Sequence, residues 1–334
     1  MEKIRLGHGS GGKLSQQLLQ EVFLPEFDTG FLMQYQDAAI APFNKSKLVL
    51  STDSYVVSPI FFPGGNIGSL SIHGTINDLC MRGAKPLYIA ISFIIEEGFS
   101  IEQLKEIVQS AAAAAKDGGV EIIAGDTKVV ERKAADKIFI TTTGVGCLYD
   151  ESKTCGIEQA KPEDIVIASG DIGCHGMAIM CARNNFDLET QIESDSASLK
   201  DMVHELLKAD LEIHSLHDIT RGGLATCLNE IAQSSKVSID IDEENVPVSA
   251  QVRGACEILG LDPLFVASEG RLVAIVSKNS SDKVLEIMHK YHYGKNARVI
   301  GVVKDARARV NLRTTIGSTR ILDMLTGEQL PRIC

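Results

Sequence analysis

Residues 87–130 read LYIAISFIIEEGFSIEQLKEIVQSAAAAAKDGGVEIIAGDTKVV, and their pattern decides the fold. LYIAISFII (87–95) is a continuous apolar run, as expected of a buried strand. SIEQLKEIVQSAAAAAKDGG (100–119) changes period and reads as a helix. Ser100 caps it, Gln103 completes a capping box, and Gly118-Gly119 ends it. VEIIAGDTKVV (120–130) returns to strand character.

The same alternation extends on both sides. KLVLSTDS (47–54) is a β-rich run ending in polar residues, and Gly68 to Met81 is helical in pattern after a Pro-Gly-Gly turn at 63–65. DKIFITTTGVGCL (136–148) is a strand joined to 120–130 by a short charged turn. The order strand, helix, strand, helix, strand, strand predicts an α+β layer, a mixed sheet with helices on one face.

The polar stretch YDESKTCGIEQAKPED (149–164) marks a boundary, after which the pattern restarts with EDIVIASG (163–170). Helical patterns follow from His175-Gly176, in LKDMVHELLKAD, in LATCLNEIAQSS, in SAQVRGACEILG and in SDKVLEIMHKY. VSIDID, RLVAIVSK and segments near 298–303 and 309–315 read as strands. The chain therefore divides into a Gly-rich arm (1–40), a first domain (41–150), a second domain of α/β sandwich type (151–326) and a tail (327–334). The tail has little pattern and is expected to be mobile.

Composition narrows the function. The chain has 334 residues, 44% of them hydrophobic, with 5% aromatics, no Trp and a formal charge of -11. An acidic chain without an aromatic platform suits neither nucleic acid nor an anionic membrane. The N-terminus MEKIRLGHGS lacks the apolar segment of a signal peptide. LYIAISFII is about half a membrane span. The expected location is cytoplasmic. Eight cysteines stand at 80, 147, 155, 174, 181, 227, 256 and 334 without CxxC or zinc spacing. Seven are expected to be reduced and mostly buried. Cys334 differs by position, as the last residue of LPRIC (330–334).

Several segments offer chemistry. GHGSGGKLS (7–15) nearly fits a P-loop, but Leu14 stands where Mg²⁺ needs Ser or Thr, and no apolar strand precedes Gly7. Gly11, Gly12 and Lys13 could still turn backbone N–H groups and one positive charge toward phosphate; a plain tail fits them equally. Asp53 in STDS, Asp78 after Asn77 in GTINDL, and Asp126 before Thr127 and Lys128 in GDTK lie at the ends of predicted elements. Each alone suits a cap or turn. Together they suit Mg²⁺ carrying nucleotide phosphates. DITRGGL (218–224) sets Asp218 and Arg221 before a Gly pair and a helix, an anion site or simply an N-cap. ASEGR (267–271) carries Glu269, and SGDIGCHG (169–176) carries His175, which could cap its helix or act on substrate.

In order, GHGSGGK, STDSYVV, FFPGGNIG, GTINDL, FIIEEGF, GDTKVV, DITRGGL, ASEGR and PRIC resemble the HypE family of hydrogenase maturation proteins. That family lies within the ATP-binding superfamily of aminoimidazole ribonucleotide synthetase. The resemblance runs from residue 7 to residue 334, and the terminal PRIC is specific to HypE within the superfamily. One departure stands at Cys174, where the family pattern has an Asp, so no role is carried to His175.

The resemblance implies a PurM-like fold, a homodimer joined through the first-domain sheets, and a substrate carried on the chain itself. A partner carbamoyltransferase, HypF, would load a carbamoyl group on Cys334. ATP would then drive its dehydration from thiocarboxamide to thiocyanate. The cyano group would pass to iron on a HypC–HypD scaffold to become a ligand of the [NiFe]-hydrogenase centre. Asp53, Asp78 and Asp126 are the expected Mg²⁺ ligands. Gly11, Gly12, Lys13, Asn77 and Thr127 join them around ATP. Lys128 is expected on the phosphate, Glu269 as base and Arg221 as a polariser or phosphate contact. Two rivals remain at this point. A small-molecule synthetase of the same superfamily, such as selenophosphate synthetase, needs no terminal Cys. A non-catalytic metal-binding scaffold leaves the three aspartates without a purpose.

Overall fold

The computed structural model describes residues 3–5, 8, 17–27, 43, 47–184, 191–324, 330 and 332–334. The expectations for Gly11, Gly12 and Lys13 lie outside the described residues.

The first domain runs β1 (Leu48–Tyr55), a small hairpin of β2 (Phe61–Phe62) and β3 (Gly65–Asn66), α1 (Ile67–Met81), β4 (Ala84–Glu96), α2 (Ile101–Gly118), β5 (Glu121–Val130) and β6 (Ile138–Leu148). Its sheet has the order β1-β6-β4-β5. β6 pairs antiparallel with β1 and β4, and β4 pairs parallel with β5, as the intervening helix requires. The mixed sheet with helices on one face is as expected. Ser100 accepts a hydrogen bond from the Gln103 N–H, and Gly119 closes α2 in the left-handed region at φ 62°.

Close approach of α1 depends on two glycines. A Cβ at Gly68 would lie 2.1 Å from the Ile107 carbonyl oxygen of α2, and one at Gly74 would lie 2.3 Å from the Tyr55 hydroxyl of β1. Of the arm, Leu18, Val22, Phe23 and Phe27 are buried, and Phe23 packs 5.1 Å from Phe93 of β4, centroid to centroid.

The second domain runs β7 (Ile165–Ala168), α3 (Cys174–Asn184), α4 (Lys200–Lys208), β8 (Ile213–Asp218), α5 (Gly223–Ser235), β9 (Ser238–Asp242), α6 (Ala250–Leu259), β10 (Leu272–Val276), α7 (Ser281–Met288), β11 (Arg298–Lys304), β12 (Arg309–Arg313) and β13 (Thr319–Ile321). Its sheet has the order β13-β12-β9-β11-β7-β10-β8, and only the β9–β12 pairing is parallel. The sequence pattern showed neither β8 nor β13, and of the β2–β3 hairpin it showed only the Pro-Gly-Gly turn.

One apolar cluster, from Phe23, Ile72 and Leu104 to Met177, Val203 and Leu272, joins both domains. α1 lies against β8, so the ends of these two elements meet between the domains. Among the described residues no helix is long and apolar enough to cross a membrane. No disulfide joins the eight cysteines, all of which are described; Cys174 and Cys334 are half-buried and the other six are buried.

The tail is docked at its described end. The Val56 N–H donates to the Cys334 carbonyl (3.1 Å) and the Ser58 N–H to the Arg332 carbonyl (3.1 Å). Residue 334 thus faces 56 and 332 faces 58, an antiparallel pairing onto the chain that continues β1. Leu330 and Ile333 are buried in the shared core. Over these residues the tail is tied to the chain that continues β1, with Arg332 turned into the left-handed region at φ 54° and Leu330 and Ile333 as its apolar anchors.

Candidate active site

The tail points at an acidic cluster. Antiparallel pairing carries it toward lower numbers on β1, and Asp53 lies three residues beyond Val56, about 10 Å along an extended strand. In β1 the side chains of Val49, Ser51, Asp53 and Tyr55 share the helix-facing side, as the burial alternation requires. Asp78 comes to the same place from the last turn of α1, where its carboxylate accepts from the Ser51 hydroxyl at 2.6 Å.

Three further carboxylates complete the cluster. Asp218 ends β8, Glu269 precedes β10, and Asp195 lies in the segment before α4. Asp218 and Glu269 are buried. Asp195 accepts from the Glu269 N–H at 3.0 Å. One Asp195 oxygen and one Glu269 oxygen are buried without a hydrogen bond.

Burial and mutual repulsion shape the titration. Asp78 is pushed up to about 7 by burial, then by the charges of Asp218 and Asp53, against the opposing Ser51 hydrogen bond. Glu269 is held well above the usual carboxylate range by burial, then by Asp218, Asp195, Asp53 and Asp78. A set of neighbouring carboxylates with raised proton affinity suits a proton-transfer step.

The structure separates other expected partners. Asp126 pairs with Ser92, which pairs with Thr141, which pairs with Ser54, so Asp126 lies on the far edge strand and the opposite face from Asp53. Lys128 shares its face and binds Asp126 at 3.1 Å; the Thr127 N–H also donates to Asp126 (2.8 Å). With three strand spacings between the edges, the gap is about 14 Å. Among the described residues no group of three or more His, Cys, Asp or Glu side chains is arranged to hold one metal ion. The expected site of Asp53, Asp78 and Asp126 within one chain is therefore corrected. The spacing along the sequence did not reveal that β5 and β1 take opposite edges.

Asn77 is corrected too. Its amide donates to the Ala197 and Glu269 carbonyls (3.0 and 3.2 Å) and accepts from the Leu199 N–H (2.8 Å). It staples α1 to the second domain instead of facing a nucleotide. Arg221 is exposed at the Gly222-Gly223 turn that opens α5. The cluster members missing from the expected site were Asp195, which no periodic element announces, and Asp218, seen only as a cap or an anion site. His175 is fully buried, with Nδ1 2.8 Å from the Ser194 hydroxyl and Nε2 2.5 Å from the Ile333 carbonyl.

The chain matches the AIR synthase related protein family in both halves, the N-terminal domain over residues 35–148 and the C-terminal domain over 161–312. It is 51% identical to carbamoyl dehydratase HypE of Cupriavidus necator across 99% of this chain and 95% of that protein. The chain belongs to the HypE family of carbamoyl dehydratases. The crystal structure of hydrogenase maturation protein HypE in complex with ATP is 44% identical and superposes with a TM-score of 0.95, covering 98% of this chain and 99% of that one. In the crystal structure of a HypE–HypF complex, a chain 46% identical superposes at 0.81 over 94% of this chain and all of that one. The PurM-like two-domain fold and the resemblance of the motifs to HypE are thereby established.

Proposed function

We propose that this chain dehydrates a carbamoyl group carried on its own Cys334, using ATP, and so makes a thiocyanate for the iron of a [NiFe]-hydrogenase. The observation that carries the reading is the docked tail, which holds Cys334 beside Val56, three residues from Asp53. Membership of the HypE family and the ATP and HypF complexes of relatives support it. A small-molecule synthetase has no use for such a docked terminal thiol.

The chemistry balances as R–S–C(O)NH₂ plus ATP giving R–S–C≡N, ADP and phosphate. The amide oxygen leaves poorly; once it carries the phosphoryl group of ATP, it leaves as phosphate while a base takes the N–H protons. Glu269 is the base. It is buried beside the tail's target, and burial with the neighbouring carboxylates raises its affinity for a proton, as a base requires. The surrounding carboxylates fit Mg²⁺, which keeps waters and phosphate oxygens and so needs only one or two protein ligands. Asp53 and Asp78 would hold it, and it would neutralise phosphate charge.

The second copy completes the site. The sheet face opposite the helices carries Leu50 (59% exposed), on the same side of β1 as Ser54, and Ile94 (40% exposed), which pairs with Lys128. An exposed apolar face on a central sheet is a self-association surface. A homodimer through it would bring Lys128, Asp126 and Thr127 of one protomer to the phosphates held by its partner. Gly11, Gly12, Lys13 and Arg221 are further phosphate contacts in this reading. HypF loads the thiol, and the HypC–HypD scaffold receives the product. A reduced terminal thiol suits the cytoplasm.

The test is intact-mass analysis of the C-terminal peptide after incubation with HypF, carbamoyl phosphate and ATP. Cys334 should gain a carbamoyl mass, then lose one water only with ATP. Cys334→Ser should bind ATP and form no dehydrated product. A dehydrated adduct on that variant, or on another cysteine, overturns the assignment.

A further inference from the structure

We infer that His175, oriented by Ser194, is a positioning residue that latches the C-terminal segment in the pose needed for dehydration; the inference rests on the proposed function of Cys334.

His175 is fully enclosed, and each ring nitrogen has one partner. Nε2 faces the Ile333 carbonyl, which only accepts, so Nε2 carries the hydrogen. Nδ1 then accepts from the Ser194 hydroxyl. The Ser194 oxygen in turn accepts from the Ser196 N–H (3.1 Å), and the Ser194 N–H donates to the Pro63 carbonyl (2.8 Å). The hydrogen bonds run in one direction, from backbone through Ser194 and His175 to the tail. Burial lowers the His175 pKa, which favours the neutral ring this chain requires. Phe62 packs edge-on against the ring at 5.5 Å and fixes its plane.

When the tail leaves, the Nε2 hydrogen loses this acceptor beside the apolar Phe62 ring. A buried donor without a partner is costly, so the pocket favours the docked tail. The same tail must leave to receive its carbamoyl group. His175 therefore sets the balance between loading outside and dehydration inside. Cys174 does not disturb this, because the groups that act are the ring of His175 and the Ser194 hydroxyl.

The test compares His175→Leu, His175→Gln and Ser194→Ala, reading iodoacetamide alkylation of Cys334 by mass of the C-terminal peptide. His175→Leu should alkylate about tenfold faster, the loss expected for one buried hydrogen bond. His175→Gln, whose amide N–H₂ reaches the Nε2 position, should return toward the wild-type rate. ATP affinity should stay unchanged. Carbamoyl loading by HypF should hold or rise while ATP-dependent water loss slows. Equal slowing of both steps, or an unchanged alkylation rate in a folded His175→Leu, overturns the latch. If His175→Leu does not fold, Ser194→Ala decides by the same rates. The alkylation arm needs no turnover, so a wild type that never loses water would refute the dehydratase reading while the latch is still judged.

Discussion

Asp78 shows at the scale of one residue how the site opposes the fold. Its carboxyl is raised to about 7 chiefly by burial and by Asp218. The native state therefore holds a proton that the unfolded chain releases near pH 4, and stability contributed by this group falls as pH rises from about 4 to about 7. Asp78→Asn removes the charge and keeps the shape. The variant should gain about 2–4 kcal/mol over wild type at pH 8 without ligand, and nothing at pH 4. Denaturant melts at the two pH values check this, and an equal gain at both would show that repulsion is not the cause. The same variant should bind Mg²⁺-ATP more weakly. Asn77, one position earlier, behaves oppositely. Asn77→Ala leaves two buried carbonyls and the Leu199 N–H without partners, and a loss of about 2–4 kcal/mol is expected at every pH.

At the scale of elements, the helix from Ile101 to Gly118 was legible because both ends are local chemistry, a Ser cap and a left-handed Gly. β8 was not, because IHSLHD places two histidines in a short strand and so breaks the apolar alternation. Its His217 is accommodated by the Asp218 carbonyl (2.7 Å) and Glu230 (2.9 Å), contacts that only the folded chain supplies. Asp53, Asp78 and Glu269 were legible as carboxylates at element ends. Asp195 was not, since its place depends on how the segment before α4 crosses α1. The tail was read as patternless, yet it is docked through Arg332. That side chain binds Asp136 (2.7 Å) and the Val56 carbonyl (2.9 Å) and lies over Phe139. Arg332→Ala should leave the global melting temperature nearly unchanged but speed amide exchange at Val56 and Ser58 by about tenfold, the loss of a few exposed tethers. Unchanged exchange at these two amides would mean that Leu330 and Ile333 hold the tail without it.

At the scale of the whole molecule, the separation of Asp53 from Lys128 decides what the active unit is. They lie on opposite edges and opposite faces of one sheet, so a single chain cannot bring both to one phosphate. If two protomers join through the bare face, each site draws Asp53 from one copy and Lys128 from the other. Asp53→Asn and Lys128→Met should each abolish water loss from Cys334 as pure homodimers. In a mixed dimer one site has both mutations, and the other has neither. Equal amounts of the two variants, dissociated and reassembled together, should therefore regain about a quarter of wild-type activity, because half the dimers are mixed and each has one intact site. Refolding each variant alone supplies the baseline, and co-purification of the untagged variant with an affinity-tagged partner shows that exchange took place. A mixture that stays inactive despite exchange would place both residues in the same protomer's site and remove the dimer from the mechanism.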